Sequence, residues 1–427
     1  MSLKIFQMKL LNNLKSYLNY TVTNLFVKLI GSLILLYLPI ILNKTEYGEF
    51  ILAFSIFNLI VVFVPSGHYE SLISIKSNVF RHDLMKIILK FTLISFFILF
   101  FGSFYFIEDT FDVLLFFSLI LSALSLGLTL TLVKYLMLIR KNIQATKYLF
   151  LFSLIIYSFS FLAILIFNSW ESYFIVSGFL GLINIYIINK LYINLNEFNN
   201  LQVLSLIKKS FPYILIALAG WITGYGFNYL IKIELDLEKV GAFGFIYTLS
   251  NLILVVTNSI NLVWSSSFFE KKQQNKNYSE NNNVWNIMIL LILIFSILLS
   301  IVYPFIIDYV YDNNSTFLIF GKFIPLIGLS YIIYVPAWQA KNLYYFHNEP
   351  IMLAKHTIIA VSLGILFTVF FINQFSELGI FIGFIFNMGI QSLIISRFSV
   401  RKWNYSIPKF NIICSSLILL MLFLYLR

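Results

Sequence analysis

A lysine stands where an apolar helix would carry leucine. Lys28 shares one helical stripe with Tyr17, Tyr20, Asn24 and Gly31, in a run that is otherwise uncharged from residue 17 to 42. It lies about 16 Å along the helix from the basic end of that run, near the middle of a bilayer. On the insertion scale a cation at that depth costs about 2.5–3.5 kcal/mol against lipid, so it must face water or a partner. Two readings follow: a cationic site in a water-filled cavity, or a structural lysine bonded to carbonyls or to an asparagine. A second stripe, Trp221, Tyr225, Asn228 and Lys232, recurs at helical spacing beside Gly224 and Gly226. Lys232 is close enough to a helix end to snorkel. Asn58, Pro65 and His68 share a third face; Tyr247, Asn251, Asn258 and Asn261 share a fourth. Asparagines within apolar spans bond to neighbouring helices about as often as they line a cavity. Glu70, beside His68, is the one carboxylate within a span's reach, a candidate with His68 to bind a coupling Na⁺ or H⁺, or equally a membrane-edge residue.

These stripes need helices, and the chain supplies little else. Of 427 residues 60% are apolar and 11% charged, against about 25% charged in soluble domains. Apolar runs long enough to span a bilayer recur throughout, near 17–42, 47–65, 86–107, 111–133, 148–167, 171–192, 211–232, 240–264, 287–307, 316–339, 351–373, 378–396 and 409–426. Each is expected to be helical, because no water serves the backbone in hydrocarbon. The connections alternate in charge. Lysine and arginine crowd the N-terminal segment and alternate connections from there on, including Lys134, Arg140, Lys141, Lys147 and Lys341. Glu46, Glu108, Asp109, Glu171, Asp236, Glu238, Asp312 and Glu377 fall on the other side. The positive-inside rule puts the N-terminus in the cytoplasm. The net charge of +11 is therefore topological, and no nucleic-acid partner is implied. The lone Cys414 can form no intramolecular disulfide. No phosphate-binding loop, metal-ligand cluster or dinucleotide fingerprint is present, so no cofactor is expected.

One stretch occurs twice. At a fixed offset, Gly48, Phe50, Asn58, Leu59, Ile60, Val62 and Ser66 coincide with Gly241, Phe243, Asn251, Leu252, Ile253, Val255 and Ser259. Each copy follows an acidic connection. Both halves of six spans start and end on the basic side, so they are parallel repeats about an axis along the membrane normal. The expected organisation is an interfacial basic segment at 1–16, six-helix lobes at 17–200 and 201–400, and an extra C-terminal helix within 401–427. Pro325 and Pro336 are expected to bend the tenth span, which also carries Lys322.

The two six-helix halves, the basic N-terminal segment, Glu46-Tyr47-Gly48 after the first helix and Lys208-Lys209-Ser210-Phe211-Pro212 opening the seventh resemble the multidrug/oligosaccharidyl-lipid/polysaccharide exporters. Within that superfamily the chain looks most like the Wzx-type O-antigen flippases. The resemblance spans about residues 1–400. It implies an all-α polytopic membrane protein, a V-shaped bundle of two lobes, with a cavity lined by helices one, two, seven and eight, the four that carry the stripes. It further implies that the protein is not an enzyme but a flippase of the bacterial inner membrane, carrying polyprenyl-diphosphate-linked oligosaccharide between leaflets. Lys28 is then the matching residue for the diphosphate, with Asn24, Asn58, Tyr225, Asn228, Lys232 and Asn251 lining the cavity, and membrane lipid around the prenyl tail. One departure is that no acidic residue stands at mid-membrane. The alternatives are a small-molecule or drug antiporter of the same fold, which a basic cavity disfavours for cationic drugs, and a membrane polymerase or glycosyltransferase. Enzymes of that second class usually carry a long external loop, and none occurs here.

Overall fold

The computed structural model describes residues 22–23, 26–74, 110–138, 141–192, 200–273, 279–310, 316–403 and 407–426. The interfacial segment at 1–16 and the third span at 86–107 lie outside the described residues. The rest is helical: α1 (Phe26–Ile41), then α2 (Lys44–Ser74), α3 (Thr110–Leu138), α4 (Asn142–Phe167), α5 (Glu171–Tyr192), α6 (Asn200–Thr223), α7 (Phe227–Glu234), α8 (Leu237–Gln273), α9 (Ser279–Val310), α10 (Thr316–Gly321), α11 (Ile324–Phe346), α12 (Pro350–Trp403) and α13 (Lys409–Leu426). Among the described residues, eight helices are long and apolar enough to cross a membrane, or nine when α6 and α7 count as one bent span. Many apolar side chains point outward, as lipid-facing surfaces do: Phe26 on α1, Phe167 on α4, Phe179 on α5 and Phe305 on α9. The C-terminal α13 exposes Phe410, Met421 and Tyr425, so it has the outer surface of a lipid-facing helix.

The chain packs as two units. Unit 1 holds residues 1–34 and 53–218; unit 2 holds residues 35–52 and 219–427. In unit 1, α3 and α5 lie parallel and close. A Cβ on Gly178 would stand 2.6 Å from the Ser118 carbonyl oxygen, so only glycine allows this approach. One turn further on, Asn184 fastens the same pair. Its amide donates to Ser125 Oγ at 2.8 Å and Thr129 Oγ1 at 2.9 Å, and its carbonyl accepts from the Tyr148 hydroxyl of α4. Small residues with a satisfied polar knot are how helices associate where water supplies no driving force. The α1 helix leans on α4: Phe26 meets Phe150 at 6.1 Å between centroids, and Gly31 sits over the Tyr157 ring. Both contacts advance in the same chain direction, so the two helices run parallel, as alternating spans one and five must.

In unit 2, α11 is the centre. It is buried along nearly its whole length, from Ile324 to Tyr344, with α12, α13 and α9 around it. The sequence anticipated one tenth span with two prolines. The chain instead breaks at Lys322 and Phe323, and Pro325 occupies the first turn of α11, where a missing N–H costs nothing. Pro336 lies inside α11. The two spans expected at 351–373 and 378–396 form an antiparallel hairpin, closed at Ser376 with φ 51° and ψ −123°. Gly364 lies against Asn387, and Gly383 against Thr368, which fixes the pairing of its two arms. The seventh span is also broken. After Thr223 the amide of Gly226 reaches back to the Trp221 carbonyl at 2.8 Å, five residues away. The Phe227 amide then bonds Gly224, only three back. The axis turns by 41°, a kink of the kind that glycine pairs permit.

Candidate functional site

Lys28 is exposed on α1 in unit 1. It is flanked by Val27, which is buried, and lies between the two points, Phe26 and Gly31, at which α1 rests on α4. The charge that bears on it is another cation, Lys134, near the basic end of α3 in the same unit. Two like charges within electrostatic reach of one another are mutually unfavourable, and an anion placed near both relieves that repulsion. Asn24 lies outside the described residues, as do Tyr17 and Tyr20. Asn58, on α2, is half-buried and donates to the Phe54 carbonyl at 2.7 Å. Its amide is thereby committed to its own helix. The side chains of His68, Glu70, Asn258 and Asn261 lie outside the described set.

Within unit 2 the break between α6 and α7 reorders the expected stripe. A continuous helix would align Trp221, Tyr225, Asn228 and Lys232. The extra residue taken up by the turn rotates α7 relative to α6. Asn228 is consequently buried at 1% exposure, between Phe227 and the break, while Lys232 is exposed at the end of α7. Tyr225 lies in the break and meets Tyr247 edge-on at 5.7 Å. The Tyr247 hydroxyl fills the space a Cβ on Gly224 would need, only 2.3 Å away. Asn251 accepts from the Tyr331 hydroxyl of α11 at 3.1 Å. Tyr225, Asn251 and their tyrosine partners thus form one aromatic and amide surface around the broken helix.

A polar chain that the sequence did not reveal ends at the same break. Lys341 Nζ donates to the Tyr334 hydroxyl at 2.6 Å, and that hydroxyl donates to Gln391 Oε1 at 3.3 Å. Gln391 Nε2 then donates to Thr223 Oγ1 and to Asn387 Oδ1, each at 2.9 Å. The signal was present as Asn387 and Gln391 one turn apart in an apolar span, but nothing in a linear reading paired them with Thr223. In unit 1 an enclosed space of about 10 Å³ lies among Phe57, Ser122, Ser153, Tyr157 and Tyr173. That is room for one water molecule, so it is not a cargo site. Among the described residues no group of three or more His, Cys, Asp or Glu could hold a metal ion.

No family model matches the chain, and no curated protein matches it in sequence. Solved structures do. The inward-facing conformation of a multidrug resistance MATE family transporter of the MOP superfamily superposes with a TM-score of 0.62 at 11% identity, covering 90% of this chain and 98% of that one. The fold is that of the MATE transporters. A eukaryotic MATE transporter, AtDTX14, gives a TM-score of 0.60 at 11% identity over 95% of this chain and 97% of its own. A MATE structure in the straight conformation gives 0.63 at 11% identity, over 92% and 95%. The likeness spans nearly the whole chain. The all-helical membrane architecture read from the sequence is that of this fold.

Proposed function

We propose that the chain is a multi-pass transporter of the bacterial inner membrane. Its cargo would carry an anionic diphosphate head: a polyprenyl-diphosphate-linked oligosaccharide, flipped for surface-polysaccharide synthesis. The observation that carries this reading is Lys28, an exposed lysine on an apolar helix, with Lys134 as its charged neighbour. A protein that moved cations would gain nothing from two lysines in one unit, whereas a diphosphate would be drawn by the field of both. The tyrosine and amide surface around the broken helix, Tyr225 with Asn251, suits sugar hydroxyls, which pair with amides and stack on rings. The prenyl tail needs only lipid. Alternating access follows from two repeated lobes, each moving as a body. Coupling to Na⁺ or H⁺ would fall to His68 and Glu70, or to groups outside the spans.

A second reading has its own support. The structural neighbours are multidrug MATE transporters, so a small-molecule antiporter of the same fold is the competing function. The test is direct. Purified protein in nanodiscs is titrated with a short-chain prenyl diphosphate and, separately, with a cationic dye, for wild type and Lys28→Met. Saturable binding of the diphosphate that is lost in Lys28→Met supports the flippase. Dye binding that is indifferent to Lys28, with no diphosphate binding, supports the antiporter.

A further inference from the structure

Residues 35–52, the end of α1 and the start of α2, belong to unit 2, although the remainder of both helices belongs to unit 1. This hairpin tip is held in two layers. The inner layer is apolar and tight. A Cβ on Gly48 would lie 2.1 Å from the Leu237 carbonyl oxygen, and one on Gly241 would meet Tyr47 at 3.1 Å and the Lys44 carbonyl at 3.3 Å. Ile51 packs on Gly244 in the same way. Tyr47 is fully buried, 6.2 Å from Phe317 between ring centroids, and the Tyr229 hydroxyl donates to the Leu52 carbonyl at 3.1 Å. Gly48 and Gly241 are equivalent positions of the internal repeat, so the two copies cross at their own glycines.

The outer layer is polar. Lys44 Nζ pairs with Glu238 Oε1 at 3.1 Å, and the same carboxylate accepts from the Thr316 hydroxyl at the start of α10. Beside it, Lys239 pairs with Asp236 and with Glu377, each at 3.2 Å. Four connections that carry acidic residues in the sequence are thus drawn together at one end of the helices, the outer end by charge bias. The Lys44–Glu238 pair is well exposed, 41% and 37% for its two side chains. An exposed pair adds little to static stability, so it serves a contact that is made and broken better than one that is permanent.

We propose that residues 35–52 form a releasable strap: the glycine crossing of Gly48 with Gly241 seals the acidic end, and the Lys44–Glu238–Thr316 clasp holds the seal shut until transport opens it. The strap would part from α8 and α10 when that end opens, hinging within α1 and α2 where they leave unit 2. The proposal rests on the transporter reading, but its test needs no cargo, so either can fail alone.

Spin labels are placed at Thr45→Cys and Glu234→Cys in a Cys414→Ser background, neither site belonging to the clasp or the seam. Distances are measured in nanodiscs by pulsed electron paramagnetic resonance. The parent protein should give a short distance as its main population. Glu238→Gln should raise a longer population several-fold, and Lys44→Glu should do the same. Combining Lys44→Glu with Glu238→Lys should restore the short one, which a merely destabilised lobe would not do. Gly48→Leu should give mostly the longer distance. An unchanged short peak in all four variants would overturn the proposal. So would variants that cannot be purified folded, because releasing a strap leaves its lobe intact.

Discussion

Replacing Lys28 by methionine separates a binding lysine from a structural one by the sign of its effect on stability. If Lys28 were structural, its ammonium would hold carbonyls or amides of neighbouring helices, and removing it would strand them at a cost of about 1–3 kcal/mol each. Lys28 is exposed, and methionine keeps its length. Losing a mid-membrane cation removes an insertion cost of about 2.5–3.5 kcal/mol. Part of that is already relieved by water at the lysine, so the expected gain is smaller, about 1 kcal/mol. Thermal unfolding in detergent should therefore show an unchanged or slightly raised midpoint. Binding should move the other way. A unit charge about 4 Å from a phosphate oxygen is worth about 1 kcal/mol in water and about 4 kcal/mol at an effective dielectric of 20. The loss of affinity for a prenyl diphosphate is then about 5-fold to 1000-fold, and the wetter the site the smaller it is. Lys28→Arg should retain part of the affinity, since the charge stays while its geometry changes. A lower unfolding midpoint together with unchanged diphosphate affinity would refute the reasoning.

Other outcomes follow from the same geometry. Asn184→Leu removes the knot that ties α3, α4 and α5; at about 0.6 kcal/mol for each interhelical bond in a membrane protein, its three partners together amount to about 2 kcal/mol, visible as a lower unfolding midpoint without a change in the affinity for diphosphate. The clasp has a pH sign: Glu238 is held below its ordinary value of 4.5, first by the Thr316 hydrogen bond and then, against the opposing cost of burial, by Lys44. Its contribution is therefore complete above pH 4.5 and lost as pH falls through the depressed value. The Thr45–Glu234 spin-label distance should stay short from pH 8 to 5 and lengthen only on stronger acidification, with Glu238→Gln insensitive throughout. Reporter fusions after residues 45, 170, 237 and 375 should read outside, and those near 140, 200 and 275 inside; a cytoplasmic signal at residue 45 would reverse the orientation.

What the sequence made legible was whatever one helix decides alone. Span positions, the charge alternation and the extra helix at Lys409–Leu426 needed only hydropathy and loop charge, and the structure has that helix where the apolar run is. What it hid was decided between helices. The seventh span read as continuous because Gly224 and Gly226 are tolerated in membrane helices; in the structure the chain breaks there, with the Tyr247 hydroxyl in the space that a side chain at Gly224 would need. The Trp221–Lys232 stripe was drawn on a straight helix and is divided by that turn, so Asn228 goes inward and Lys232 outward. Asn184 and Gln391 were passed over because their partners on other helices lie 36 to 168 residues away, and no spacing within a span announces them.

The internal repeat read from the sequence puts a glycine on each side of the crossing of α2 and α8. In a fold of two parallel repeats, equivalent residues come together wherever a helix approaches the repeat axis. At such a point each half meets a copy of itself, and any side chain there meets its own equivalent. Small residues at both equivalent positions are the simplest solution, and Gly48 and Gly241 are that pair: the Cβ position of Gly241 lies only 3.4 Å from the Gly48 nitrogen. The flanking residues do not obey the symmetry. Lys44, four residues before Gly48, pairs with Glu238, three residues before Gly241, and the two are not equivalent positions of the repeat. The glycines permit the crossing, and the charged residues that flank it are of opposite sign.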